Sequence, residues 1–278
     1  MESLKNILYW EGCFNEIMEY PVRISKGLYV TVISGTAILN TGAESYHLKP
    51  QMDLSFISGG IFQCIEHSVD FKVRIFGYTH ELFTRAALPI DRIFFDYFEE
   101  HPYYLHTQDE RSQRTWREVL QWMDLAQTLF GGVMKLRFPE LQEENFLRGF
   151  WMWNISTIQD RIETRNNISN AQLIAHKFIR LVKNNAIIYH KANYYADRLN
   201  ITQRYLNKII YLYYNGRTPK QLIDAQLIAE IKEHLIDATY SVTQIAADLN
   251  FPDQSYLSRF FSRHTGMSPL EYRAKIQR

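Results

Sequence analysis

The chain has 278 residues, enough for two ordinary domains, and its 46% hydrophobic content, with 18 Tyr and 17 Phe, supplies real cores and excludes a disordered chain. Its 2 cysteines, Cys13 and Cys64, lie outside any Cys-x-x-Cys or Cys/His cluster, which argues against a disulfide framework or structural zinc and for a reducing compartment. The net charge of +1 hides an asymmetry: from Asn170 onward 15 Lys and Arg face 8 Asp and Glu, leaving 16 against 22 before it, so only the C-terminal part suits a polyanion.

The opening stretch MESLKNILYWEG lacks a signal-peptide apolar region, and no apolar run is long enough to span a bilayer. The expectation is a cytoplasmic protein with no membrane partner. From Gly27 to about Tyr78, GLYVTVISG, TAILNTG, SYHLKPQ, DLSFISGG and FKVRIFGY are short runs of β-formers broken by Gly, Pro, Asn and Ser. This predicts an antiparallel barrel or sandwich. A barrel of about eight strands either encloses one small ligand or is packed shut. Trp10, Tyr29, Tyr46, Phe56 and Tyr78 are the aromatic candidates for a pocket, with core filling as the competing role.

After Tyr78 the pattern turns helical. Trp116, Val119, Leu120, Met123, Leu125 and Leu129 recur at helical spacing from Asp109 to Phe130, and Gly131-Gly132 ends that helix. A second helix, about Glu140 to Ile162, carries Phe146, Leu147, Phe150, Trp151 and Trp153 on more than one side, so it is deeply packed or buried against a partner chain. The polar run RIETRNNISN, 161–170, reads as a linker. We expect strands over about 22–80, helices over about 81–165, and domains of 1–165 and 166–278. Helices then follow over 171–185, 193–200, 202–216, from Thr218-Pro219 to about Leu235, 241–250, and from Gln254 to His264.

A repeat lies within this last part. ADRLN-ITQRYLNKII and AADLNFPDQSYLSRFF align: Ala196, Leu199 and Asn200 with Ala246, Leu249 and Asn250, then, after one inserted residue, Thr202, Tyr205 and Leu206 with Asp253, Tyr256 and Leu257. Each copy reads as a helix-turn-helix. A short helix ends in Asn, which tolerates the left-handed backbone of a tight turn, and Thr202 or Asp253 caps a second helix. The polar face of the first such helix holds Gln203, Arg204, Asn207, Lys208 and Tyr211, and that of the second Gln254, Ser255, Ser258 and Arg259, with Arg263 a turn further on. Arg reads guanine, Asn or Gln reads adenine, and Lys neutralises phosphate. A connecting helix of about 18 residues rises roughly 27 Å, which sets two such helices near the roughly 34 Å repeat of successive major grooves.

On these residues the stretch from about Asn170 to Arg278 resembles the DNA-binding domain of the AraC/XylS family of bacterial transcription regulators, its signature running from SVTQIAADLNFPDQSYLSRFF to HTGMSPLEYR. The resemblance implies that Arg204, Asn207 and Lys208 meet bases and backbone from the first recognition helix, and Gln254, Ser255, Ser258 and Arg259 from the second. Asn200 and Asn250 stand where Gly is common, Pro252 where a small polar residue is, and Lys208 where Arg is usual; Lys cannot make a bidentate fork. The run LYVTVISGTAILNTGAESYHLKPQMDLSFIS is similar to the family's cupin-type sensor domain, with Pro50-Gln51-Met52-Asp53 in place of Pro-Gly-Asp. The implied fold is α+β, a cupin-like antiparallel β-barrel with a helical extension followed by an all-α domain of two helix-turn-helix motifs and a linker helix. The implied partners are double-stranded promoter DNA, a small-molecule effector in the barrel, a second copy in a homodimer, and RNA polymerase for an activator. The helices 109–130 and 140–162 are the expected dimer face, and the nucleoid the expected location of the bound form.

An enzyme is the competing expectation. A cupin metal site needs two or three His and a carboxylate on one face. His47, His67 and His80 are scattered, and His101 and His106 are five apart around a Pro, so each reads as a surface or capping histidine. No nucleophile, phosphate-loop or dinucleotide motif occurs. We therefore expect no catalytic or metal residues and no cofactor. The alternative is a cupin-type small-molecule binding protein or enzyme whose helical C-terminus contacts protein.

Overall fold

A computed structural model describes residues 6–276, apart from 15–17, 107–108, 133 and 164–168. Of the linker expected over 161–170, residues 164–168 fall outside the described residues, while 161–163 end one helix and Ser169 caps the next. The N-terminal part holds two antiparallel sheets. The first pairs β1 (Ile7–Gly12), β8 (Lys72–Tyr78), β3 (Gly27–Ser34), β6 (Met52–Phe56) and β9 (Tyr103–Leu105) in that order. The second pairs β2 (Val22–Ile24), β7 (Gly60–His67), β4 (Ala37–Asn40) and β5 (Ser45–Leu48). The two sheets face each other without closing into one hydrogen-bonded ring, so the α+β class stands while the expected barrel is an open sandwich.

Between the sheets lies a core of Leu28, Val30, Val32, Leu39, Tyr46, Leu48, Leu54, Phe62 and Val73. The first sheet is buried on its other face too, where Tyr29, Phe76 and Tyr78 meet four helices. These are α1 (His80–Ala87), α2 (Arg92–Glu100), α3 (Glu110–Phe130) and α4 (Pro139–Glu163). Covering both faces explains why β3 is almost continuously buried rather than alternating. In α4, Phe146, Leu147, Phe150 and Trp151 are all buried within the chain, which resolves the choice between deep packing and a partner in favour of packing. Phe150 touches Tyr29, Phe76, Trp122 and Trp151 edge-on, the geometry aromatic quadrupoles favour.

One more expectation is corrected here. His106 is no surface histidine: it is 1% exposed and its Nε2 lies 2.9 Å from Asp53 Oδ2, which also accepts from the Tyr29 hydroxyl at 2.6 Å. His101 is half-buried and stacks on Tyr97.

The C-terminal part is helical: α5 (Asn170–Asn185), α6 (Ala192–Arg198), α7 (Gln203–Tyr213), α8 (Pro219–Ile236), α9 (Val242–Asp248), α10 (Gln254–Thr265) and α11 (Pro269–Ile276). Its core is continuous, from Phe178 and Val182 through Leu222, Leu227 and Ile231 to Leu257 and Phe261. Helix α8 is the spine, with apolar residues around its whole circumference. It starts at a capping box of Thr218 and Gln221 with Pro219 in its first turn, and α9 starts at the equivalent box of Ser241 and Gln244.

Candidate nucleic-acid interface

The two helix pairs α6–α7 and α9–α10 share one local geometry. Leu199 and Leu249 close the first helix of each pair, and Asn200 (φ 54°) and Asn250 (φ 52°) then turn left-handed. The next amide returns to the small residue of the first helix, Ile201 N to Ala196 O at 3.0 Å and Phe251 N to Ala246 O at 2.8 Å. Such a bond five residues back satisfies a carbonyl that the helix end leaves orphaned. Ala196 and Ala246 are buried where the two helices of each pair cross, and a larger side chain there would push them apart.

The second helices are capped as the sequence predicts. The Thr202 hydroxyl accepts from Tyr205 N at 3.2 Å, and the Asp253 carboxylate accepts from Tyr256 N at 2.7 Å. Leu206, Ile209 and Ile210 anchor α7 in the core, and Leu257, Phe260 and Phe261 anchor α10 at the matching positions. The anchors fix which face looks outward. On α7 that face presents Gln203, Arg204, Asn207 and Lys208, all exposed; on α10 it presents exposed Gln254, Ser255, Arg259 and Arg263, with Ser258 half-buried.

Arg204, Lys208 and Arg259 have no ion pair among the described residues, so their charge is available to a polyanion. Two of the candidates are already engaged. Gln254 Oε1 accepts from the Thr243 hydroxyl at 2.7 Å, which aims its amide nitrogen outward, and the Arg263 guanidinium lies 5.9 Å from the centre of the Phe260 ring. Thr243, which holds Gln254, is a residue that sequence reasoning missed; its place just inside the cap of α9 is the signal that could have found it.

The five aromatic pocket candidates are not gathered around one cavity. Tyr29 and Tyr78 face the helices, Trp10, Tyr46 and Phe56 belong to the core between the sheets, and of the five Phe56 alone lines the cavity described below. Alternation along the strands sends them to opposite sides of the sheet.

That opening lies where the two parts of the chain meet, and sequence reasoning missed it. The β4–β5 turn, with Gly42 at φ 87°, inserts into the helical domain. Ala43 N donates to Gln226 Oε1 at 3.1 Å, Ala43 O accepts from Arg217 Nη1 at 3.2 Å, and a side chain on Gly42 would collide with Gln226. Next to them Lys183 Nζ lies 2.6 Å from Glu44 Oε2, to which the Tyr46 hydroxyl also donates at 2.7 Å. Burial alone would raise the Glu44 carboxyl, but the Lys183 ammonium and the Tyr46 hydroxyl hold it below its ordinary value of 4.5. The hydroxyl of Tyr214 is pushed up by burial and by the same carboxylate. Arg23 pairs with Glu230 and lies 3.7 Å from Glu233, and Arg180 bridges Asp96 at 3.2 Å and Glu99 at 3.1 Å. These contacts surround a cavity of about 470 Å³.

The family model for a helix-turn-helix domain matches residues 195–275. The match spans α6 to α11, both helix pairs included. No curated protein matches the sequence. Among solved structures, an apo variant of ToxT from Vibrio cholerae is 15% identical, with 98% of each chain covered and a TM-score of 0.46. Wild-type ToxT from Vibrio cholerae bound to an unsaturated fatty acid is 16% identical over 96% of this chain and 94% of that one, at a TM-score of 0.46. A DNA-binding transcriptional dual regulator from Escherichia coli is 19% identical over 38% of this chain and 94% of that one, at 0.34.

Proposed function

We propose, from the premise that residues 195–275 form a helix-turn-helix domain of the AraC/XylS type, that the chain is a sequence-specific transcription regulator placing α7 and α10 in two successive major grooves of promoter DNA. The observation that carries this reading is the repeated geometry: two left-handed Asn turns, two side-chain caps and two outward polar faces on either side of α8. In this reading Arg204, Asn207, Gln254, Ser255, Ser258 and Arg259 face bases and phosphates, while Gln203, Lys208 and Arg263 track the backbone. Arg259 offers a fork for guanine, whereas Lys208 offers a point charge.

The N-terminal domain is the sensor. An effector would enter the cavity between the domains rather than the space between the sheets, which side chains fill. Because that cavity borders α5 and α8, occupancy biases how the DNA-binding domain is held. The outer surface of α3 and α4 is the proposed homodimer face, with Trp122, Leu125 and Trp153 along its groove. As an activator the chain would also meet RNA polymerase.

The test is a gel shift of the full chain on promoter fragments across a salt series. Binding should weaken steeply and log-linearly with salt, as counterion release requires. Absence of any shift at low salt would remove the proposal.

A further inference from the structure

The cavity between the domains has an unusual charge balance. Its wall is mixed, and the apolar part is formed by Ile24, Phe56 and Phe62 from the N-terminal side and by Ile179 and Ile187 from α5 and the turn after it. The Arg and Lys residues at its edge are Arg23, Lys183 and Arg180, and each is held by a carboxylate. Arg23 binds Glu230, Lys183 binds Glu44, and Arg180 binds Asp96 and Glu99. Glu100 and His176 also belong to the lining. A ligand carboxylate arriving here would find no uncommitted Arg or Lys. To reach Lys183 it would have to displace Glu44, leaving that carboxylate buried against Tyr46 and Tyr214.

One polar group of the lining lacks a partner. Ser55 is 5% exposed, and its hydroxyl is the buried side-chain oxygen of this cavity with no hydrogen bond among the described residues. It stands in the wall shared with a smaller chamber of about 40 Å³ around Tyr29, Asp53 and His106. A buried hydroxyl without a partner is costly, and a small shift of the wall would let a ligand supply one.

We propose that this cavity takes an uncharged small molecule with an apolar part and a hydrogen-bonding group, the group meeting Ser55, and that free carboxylates are disfavoured there. The inference rests on the effector reading above. Such a ligand touches Phe56 and Phe62 on one domain and Ile179 and Ile187 on the other, so its binding energy is spent across the interface and strengthens the contact between them.

The test compares three probes of equal chain length, 1-decanol, decanoate and decylamine, on the full chain by calorimetric titration and thermal shift. The alcohol should bind about tenfold tighter than decanoate, decylamine reporting whether the acidic side of the lining takes a cation, and raising salt should not invert the order of alcohol and decanoate. Ser55→Ala should weaken the alcohol by about threefold to tenfold, the range of one neutral hydrogen bond. Ile187→Trp, at the rim, should block it while the thermal transition without probe stays cooperative. Should Ile187→Trp fail to fold, Phe56→Leu, which changes the shape of the wall, should alter alcohol affinity without altering Glu44–Lys183. Tighter binding of decanoate, decylamine binding alone, no binding of any probe, or alcohol binding unchanged in the folded variants overturns the proposal. A gel shift without probe reports separately on DNA binding, so failure of the ligand class is distinguishable from failure of the regulator reading.

Discussion

The two helix-turn-helix units have nearly the same frame and different surroundings. Both end at a left-handed Gly, Gly216 at φ 76° and Gly266 at φ 77°, yet the exit of the first unit is gripped by the N-terminal part through Tyr214 and Arg217, while the second runs into α11, where Tyr272 packs on Phe261 and Arg273 bonds back to Leu235. Their outward faces differ as well: Arg204, Asn207 and Lys208 on α7 become Ser255, Ser258 and Arg259 on α10. A repeated fold with unequal faces and unequal attachment divides the labour. The frame is a property of local sequence, whereas the attachment depends on residues more than a hundred positions away.

The largest expected effect removes the frame itself. Phe261 and Ile210 occupy equivalent fully buried positions. Phe261→Ala should cost about 3–5 kcal/mol and Ile210→Ala about 2–5 kcal/mol in denaturant unfolding. If either costs less than about 1 kcal/mol, the shared-core account of the two units is wrong.

Smaller effects should separate the faces. Arg259→Ala should cost about 1–3 kcal/mol on a specific site and relax preference at one base pair. Lys208→Ala should weaken all sequences alike and lower the salt slope by about 1. Competition binding against a panel of single-base variants distinguishes the two outcomes, and equal loss on all sequences for Arg259→Ala would make it a phosphate contact.

The attachment titrates. Glu44 has a depressed carboxyl pKa in the folded chain, so its stabilisation is whole above its ordinary value of 4.5 and is lost as pH falls through the lower folded value. Glu44→Gln should therefore cost about 1–2 kcal/mol at neutral pH, a figure discounted because Lys183 is a third exposed, and the gap to wild type should close in acid. Thermal unfolding of both proteins across a pH series checks this; a gap that widens in acid contradicts it. The smallest effect belongs to the turns. Asn250→Gly relieves the side chain from a left-handed backbone and should change stability by only about 0.5 kcal/mol, whereas Asn250→Val should destabilise by about 1–2 kcal/mol in the same thermal measurement.

The helical domain was legible because its signals are local. Asn200 and Asn250, the caps Thr202, Asp253, Thr218 and Ser241, and the apolar spacing of α7 and α10 all act within a few residues. The short helix α11 was overlooked because its apolar positions are few, although Ser268 and Glu271 cap it reciprocally. The sheet domain was readable as strands, but not as to which way Tyr29 and Tyr78 point, since a sheet covered on both faces loses the alternation that assigns sides. The joint between domains was opaque. Gln226 and Glu230 look like ordinary polar positions on a helix, and only the fold brings Ala43 and Arg23 to them across 183 and 207 residues.

The central claim is that one chain reads DNA with two unequal heads. Selection of bound sites from random duplex DNA by the full chain, repeated with Arg259→Ala, tests it most directly. The account predicts two enriched blocks spaced by about one helical turn, roughly 10–10.5 base pairs, with information in the block under α10 reduced by the substitution. A single block, or two blocks untouched by Arg259→Ala, would contradict it.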